Sequence, residues 1–370
     1  MNFTGNQRRL YLLALALLTA SIALACTWGL WHRADVSASQ TLTFPEGGAA
    51  SAPSPAATEV SAAPTAGEAP SAAQARGTVD TVVYYRDNYG YLVPVMCSVP
   101  AEEGIAKATL SLMVQSPAND MQAARLGLRT VLPENTSIDL DISGGTARVD
   151  LSREAANLPD AAAESGMVSA VVQALTEFPT VERVEFLFGG QRLEKLKNGV
   201  SVSGQFTRGD INLETASAVS ADSRPVLLYF PSDDASVLVP VTRMVRSNAD
   251  VNTAVLELTK GPSSSSVLEG VIPAGCGLVD VKVEDGTARL YFTGEFIQLA
   301  QNSDGGRMAL KALVLTCTQF EGIDAVEIYV DGQLYDPGES TLAVPTFVNV
   351  ADDIIYDYIQ TQSALLFDFD

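Results

Sequence analysis

The sequence predicts an α/β chain of the α+β kind, built as two tandem copies of one small mixed-sheet domain. Each copy reads strand, strand, helix, strand, strand, helix, strand. Three observations carry this prediction. First, short motifs recur in one order. YLVPV at Tyr91–Val95 returns as VLVPV at Val237–Val241, and GTAR at Gly145–Arg148 returns at Gly286–Arg289. LTEFPTVERVEFLFGGQ, from Leu175 to Gln191, returns as CTQFEGIDAVEIYVDGQ, from Cys317 to Gln333. Second, the offset stays at about 140–146 residues, the size of a small domain and far beyond the roughly 20–50 residues of a solenoid unit. Third, β-branched and aromatic runs alternate with stretches of helical period in both copies.

The elements follow in order. Residues 1–33 read as a signal or anchor. Arg8 and Arg9 precede an apolar run from Leu10 to Trp31, closed by His32 and Arg33. About 22 apolar residues suffice to span a bilayer, and the basic-then-apolar order is that of an export signal or signal anchor. ALAC, ending at Cys26, is a candidate lipidation box, although Ala23 stands where such boxes usually carry leucine. A transmembrane helix, a lipid on Cys26 and a cleaved signal therefore remain open. All three place the folded part outside the cytoplasm, since Arg8 and Arg9 hold the start inside. Residues 34–77, rich in Ala, Ser and Pro, cannot bury enough surface to offset their ordering entropy and read as a disordered tether.

The first copy is expected at 78–213. TVVYY and YLVPV flank the turn-rich RDNYG. A helix runs from about Gly104 to Gln115 and stops at Ser116 and Pro117. VLPENTSIDLDIS and TARVDLS form a hairpin about Gly144 and Gly145. A second helix, Ala163 to Phe178, sets Val168, Val171, Leu175 and Phe178 on one face, and Pro179 ends it. VERVEFLF is the last strand. A linker, 214–223, leads to the second copy at 224–350, which repeats each step with turns at PSDDAS and at Asp285–Gly286. Helices covering one face of one small sheet is the expected layering. An acidic and apolar tail, 351–370, has no counterpart in the first copy.

The composition narrows function. A net charge of −21 and a pI near 4.3 argue against nucleic acid, whose phosphates need a clustered basic surface. The lone histidine is His32, so the folded part has no histidine base. No P-loop, Rossmann fingerprint or zinc spacing occurs. Catalytic, cofactor and metal residues are therefore expected to be none. Of the thiols beyond Cys26, Cys317 falls where the first copy has Leu175 and reads as a small buried hydrophobe. A Cys276–Cys317 disulfide is an option in an oxidising compartment, with Cys97 left over. The acidic pairs Asp233–Asp234, Glu284–Asp285 and Asp352–Asp353 read as solvated turns and tail. Ser263–Ser266 reads as a loop. Tyr84, Tyr85, Tyr89 and Tyr91 cluster near the first hairpin, either as strand faces or as a platform for sugar rings.

These motifs resemble the GerMN domain, found in tandem in the GerM family of sporulation and germination proteins. The second copy carries LYFPSDD, LVPVTR, LELTKGP, VIPAG, VEDGTARLYF and EIYVDGQ. The first keeps LVPV, VLPENT, GTARVDLS and LTEFPTVERVEF, but has Ser116 where the second copy has Gly261 before proline. The resemblance implies an extracytoplasmic, membrane-tethered protein of a spore-forming bacterium, similar to the ring-building domains of the complex joining mother cell and forespore. It also implies lipidation at Cys26. The function expected is non-enzymatic assembly. The partners would be envelope or sporulation proteins, ring or channel components, a second copy of the chain, and the membrane through the N-terminus. The alternative is a module binding cell-wall glycan or a small ligand.

Overall fold

The computed structural model describes residues 77–101, 104–214, 222–246, 248–301, 303–335, 342–343 and 348–350. The segment holding Cys26, the tether and the acidic tail lie outside them.

In the first copy, β1 (Thr78–Arg86) and β2 (Leu92–Pro100) form an antiparallel hairpin. α1 (Ile105–Leu112) and α2 (Pro117–Ala124) follow. Next come β3 (Ile138–Ser143), β4 (Thr146–Leu151), α3 (Ala161–Leu175) and β5 (Arg183–Phe188). β4 pairs antiparallel with β3 and parallel with β5. The second copy repeats the order: β6 (Arg224–Pro231), β7 (Leu238–Val245), α4 (Val251–Thr259), β8 (Leu278–Glu284), β9 (Thr287–Phe292), α5 (Ser303–Thr318) and β10 (Ala325–Val330). Two short strands, β11 (Gln333–Leu334) and β12 (Leu342–Ala343), cover the outer edge of β10. Phe206 and Gln191 cover β5 in the same way.

The chain is mixed α+β, as its patterning predicts, but the layering differs from one sheet with helices on one face. The hairpins β1–β2 and β6–β7 share no ladder with the three-stranded sheet of the first copy or the five-stranded sheet of the second. The helices α1 and α3 touch both the hairpin and the sheet, and so do α4 and α5. A helix enclosed on two sides loses its polar stripe. On α3, Met167, Val168, Ala170, Val171, Val172, Ala174 and Leu175 are all buried. The hairpins lose their alternation for the same reason: Val82, Val83, Tyr84 and Tyr85 are buried in succession.

Two turns follow their residues closely. Gly144 and Gly145 (φ 55° and 75°) join β3 to β4, and Asp285 and Gly286 (φ 50° and 77°) join β8 to β9. Both central residues of each turn are left-handed, the geometry that matches strand twist in a two-residue hairpin.

α1 stops at Leu112, ahead of the expected Ser116–Pro117 stop, and Pro117 instead starts a helix that the periodicity does not announce. Proline at the first helical position gives up no bonded N–H. Ser116 caps α2 by accepting from the Asn119 N–H at 3.2 Å. The second copy has left-handed Gly261 there (φ 76°) and no helix after Pro262. Ser116→Ala is expected to cost about 1 kcal/mol, with Ser116→Thr close to neutral. Urea unfolding of both variants checks this.

Candidate functional site

The strongest concentration of polar chemistry in the described residues lies where the two copies meet. The hairpin strands β2 and β7 pack on each other. Each carries the repeated Leu-Val-Pro-Val. The Pro94 and Pro240 carbonyls each accept a bond from outside their own hairpin. The segment leaving each copy supplies it.

Asn212 leaves the first copy. Its Oδ1 accepts from the Leu92 N–H at 2.9 Å. Its Nδ2 donates to Leu92 O at 2.8 Å and, across the joint, to Pro240 O at 2.7 Å. Asn349 leaves the second copy and repeats this with the copies exchanged. It accepts from the Leu238 N–H at 2.8 Å and donates to Leu238 O and, across the joint, to Pro94 O, both at 2.9 Å. Leu213 bridges Thr242 in parallel, and Val350 bridges Met96 in parallel. The Glu214 N–H donates to Thr242 O at 2.9 Å, and the Met96 N–H to Asn349 O at 2.8 Å. The joint is thus a pseudo-two-fold clasp in which equivalent residues do equivalent work on both sides.

One half carries more. Arg243 of β7 grips Glu214 with two nitrogens, at 2.6 and 2.9 Å. It also donates to Glu257 O at 2.9 Å and Gly261 O at 2.9 Å. The Ser263 N–H adds a bond to Glu214 at 3.1 Å. Both charged side chains are at most a tenth exposed. Burial pulls the Arg243 guanidinium down, but Glu214 and Glu257 outweigh it and hold it above its ordinary value. The first copy has Cys97, a buried side chain, at the matching place.

The tyrosine cluster divides between core and joint. Tyr84 and Tyr85 are buried. The Tyr84 hydroxyl donates to Glu177 at 2.6 Å and accepts from Arg208 at 2.8 Å. Burial drives the Tyr84 phenol well above its ordinary value, opposed by Arg208 and reinforced by Glu177. In the second copy Gln319 stands in the place of Glu177 and instead brackets the Leu227 backbone, at 3.2 and 2.6 Å. Tyr89 donates across the joint to Asp233 at 2.8 Å, and Tyr91 meets Ser266 at 3.0 Å. Tyr89 is nonetheless 56% exposed, and among the described residues only the hydroxyl of its side chain is engaged.

The remaining expected positions are also placed. Asp234 caps its own turn, accepting from Ser232 at 2.6 Å and Ser236 at 2.7 Å. Burial pushes its carboxyl up, but these bonds win and hold it below the ordinary range. Glu284 pairs with Arg289 beside the β8–β9 turn. Asp352 and Asp353 lie outside the described residues. No disulfide joins Cys97, Cys276 and Cys317, so the Cys276–Cys317 option is not taken up. Burial drives Cys317 far above the usual thiol range. An open polar cleft of about 450 Å³ lies beside the joint, lined by Asn88, Gln115, Asp120, Arg129 and Thr130. Among the described residues no three His, Cys, Asp or Glu side chains converge as a metal site.

Comparison with known proteins agrees with this duplicated architecture. The family model "Germane: Sporulation and spore germination" matches residues 82–194 and again 227–336. The chain belongs to the Germane family. Its curated relative, spore germination protein GerM of Bacillus subtilis (strain 168), is 31% identical over 272 residues, covering 70% of this chain and 74% of GerM. The solved tandem GerMN domains of that sporulation protein superpose with a TM-score of 0.62 at 30% identity. They cover 74% of this chain and 99% of that one. The two Germane matches stop at residues 194 and 336. The clasp residues Asn212 and Asn349 lie beyond them, in the segments that leave each Germane copy. Neither asparagine stands out in sequence, where a lone Asn between apolar residues reads as a turn. The available signal is the repeat itself: Ile211-Asn212-Leu213 returns as Val348-Asn349-Val350.

Proposed function

We propose that this Germane-family chain is a non-enzymatic assembly protein of sporulation, with a further part in germination, held outside the cytoplasm by its N-terminal segment. In this reading the two copies dock as one rigid unit on envelope proteins that join mother cell and forespore. The observation that carries the proposal is the clasp. The polar groups a binding site would aim at a ligand are here aimed from one copy at the other. That arrangement suits a body whose job is to present fixed surfaces. The tyrosines that would favour a glycan module are buried or engaged across the joint.

The test is the heat-resistant spore count of a deletion strain of the host, complemented with either wild type or Asn212→Ala/Asn349→Ala. A large drop on deletion, restored by wild type and not by the clasp variant at equal protein level, is the expected result. A clasp variant that restores the count in full would remove the rigid-unit reading. An unchanged count on deletion would remove an essential assembly role.

A further inference from the structure

We infer that the joint is also a surface for a second copy of this chain, used by exchange. The first copy of one chain clasps the second copy of another, and the reverse. The inference rests on the joint alone and stands whether or not envelope docking holds.

The bonds that cross the joint, Asn212 to Pro240, Asn349 to Pro94 and Arg243 to Glu214, each link a residue up to Glu214 with one from Leu238 onward. The two halves use matching residues: Asn212 with Pro240, Asn349 with Pro94, Leu213 with Thr242, Val350 with Met96. A surface that pairs with its own equivalent about a two-fold axis is the isologous kind from which dimers are built. Within one chain the pairing is favoured by the effective concentration that a short connection imposes. That is a matter of concentration and not of geometry. Two chains that trade their second copies would form two joints of the same kind and lose no bond. Anchoring in one membrane would crowd the chains and favour the trade. The Arg243–Glu214 pair would then tie two chains together, since its partners lie on opposite sides of the connection.

Two experiments test this. Full-length chains in two isotopic labels, each with a photo-crosslinking residue in place of Leu213, are refolded together over a range of protein concentration. Leu213 is 43% exposed and joins β7 through its backbone, so the replacement leaves the core alone. At low concentration the adducts should reach the Thr242 peptide within one chain. At high concentration they should join the two labels at that same peptide, and the mass in light scattering should double. Adducts confined to one chain at every concentration would overturn the inference. A dimer whose adducts fall elsewhere would overturn it too. In the second experiment residues 216–221 are deleted. The shortened chain should be a dimer even when dilute, with cross-label adducts at the Thr242 peptide, and a monomer would count against exchange.

Discussion

Arg243→Ala is expected to lower the stability of the chain by roughly 3–5 kcal/mol, the cost of stripping one partner from a buried ion pair. The Glu214 side chain is 8% exposed. Without Arg243 its carboxylate would keep, among the described residues, the Ser263 N–H. The carbonyls of Glu257 and Gly261 would lose their donor as well. The penalty is one of abandonment more than of lost attraction, and this separates it from a surface salt bridge, worth about 0–1 kcal/mol. The corresponding double change, Arg243→Met with Glu214→Leu, should recover only part of the loss: it removes the abandoned Glu214 charge, while the Glu257 and Gly261 carbonyls and the Ser263 N–H still lack their partners. Guanidinium unfolding of the three chains measures both effects. A loss under 1 kcal/mol for Arg243→Ala would mean that water reaches Glu214 in the native state. The midpoint should move with little change in slope, provided the surface exposed on unfolding stays the same.

Asn349→Ala is expected to cost about 3 kcal/mol and to uncouple the two copies. Asn349 is 3% exposed, and its removal leaves the Leu238 N–H and two carbonyls without their partner. Each buried polar group left unsatisfied costs about 1–3 kcal/mol. Asn212→Ala removes the same three bonds from a half-buried site, where water can take over part of the bonding. Its loss should be smaller on that count, although alanine is also strained at a φ of 49°. The informative signal is shape. Wild type should unfold in one transition and the double variant in two, since the copies would then melt as separate units. Calorimetry and circular dichroism followed together would show it. A single sharp transition in the double variant would place the coupling in the packing of β2 on β7 and not in the asparagines.

Much of the fold was legible in the residues, and the reasons are local. The β3–β4 turn reads directly from Gly144 and Gly145, because few other residues accept two successive left-handed positions. The strand β5 and the helix α3 read from apolar runs and period. Legibility ended where a residue acts at long range. Glu214 sits at the start of a polar stretch and reads as linker, yet its carboxylate meets Arg243, and no local pattern links the two. Asn212 and Asn349 pair with strands more than a hundred residues away. Pro117 reads as a stop because a proline that ends one helix and one that begins the next look alike until the Ser116 cap is seen.

The reciprocal exits also bring the two ends of the described double domain near each other. Thr78 opens β1 opposite Pro100, and Val350 lies beside Met96 on the other edge of the same strand β2. Two strand spacings across and four residues along put these ends on the order of 16 Å apart. The backbone therefore departs from the first hairpin, passes through both copies and returns to where it began. It is a nearly closed circuit, in which the order of the two halves is an accident of where the gene is cut. Joining Val350 to Thr78 through a few residues and opening the circuit at the connection would give a permuted chain with the same architecture.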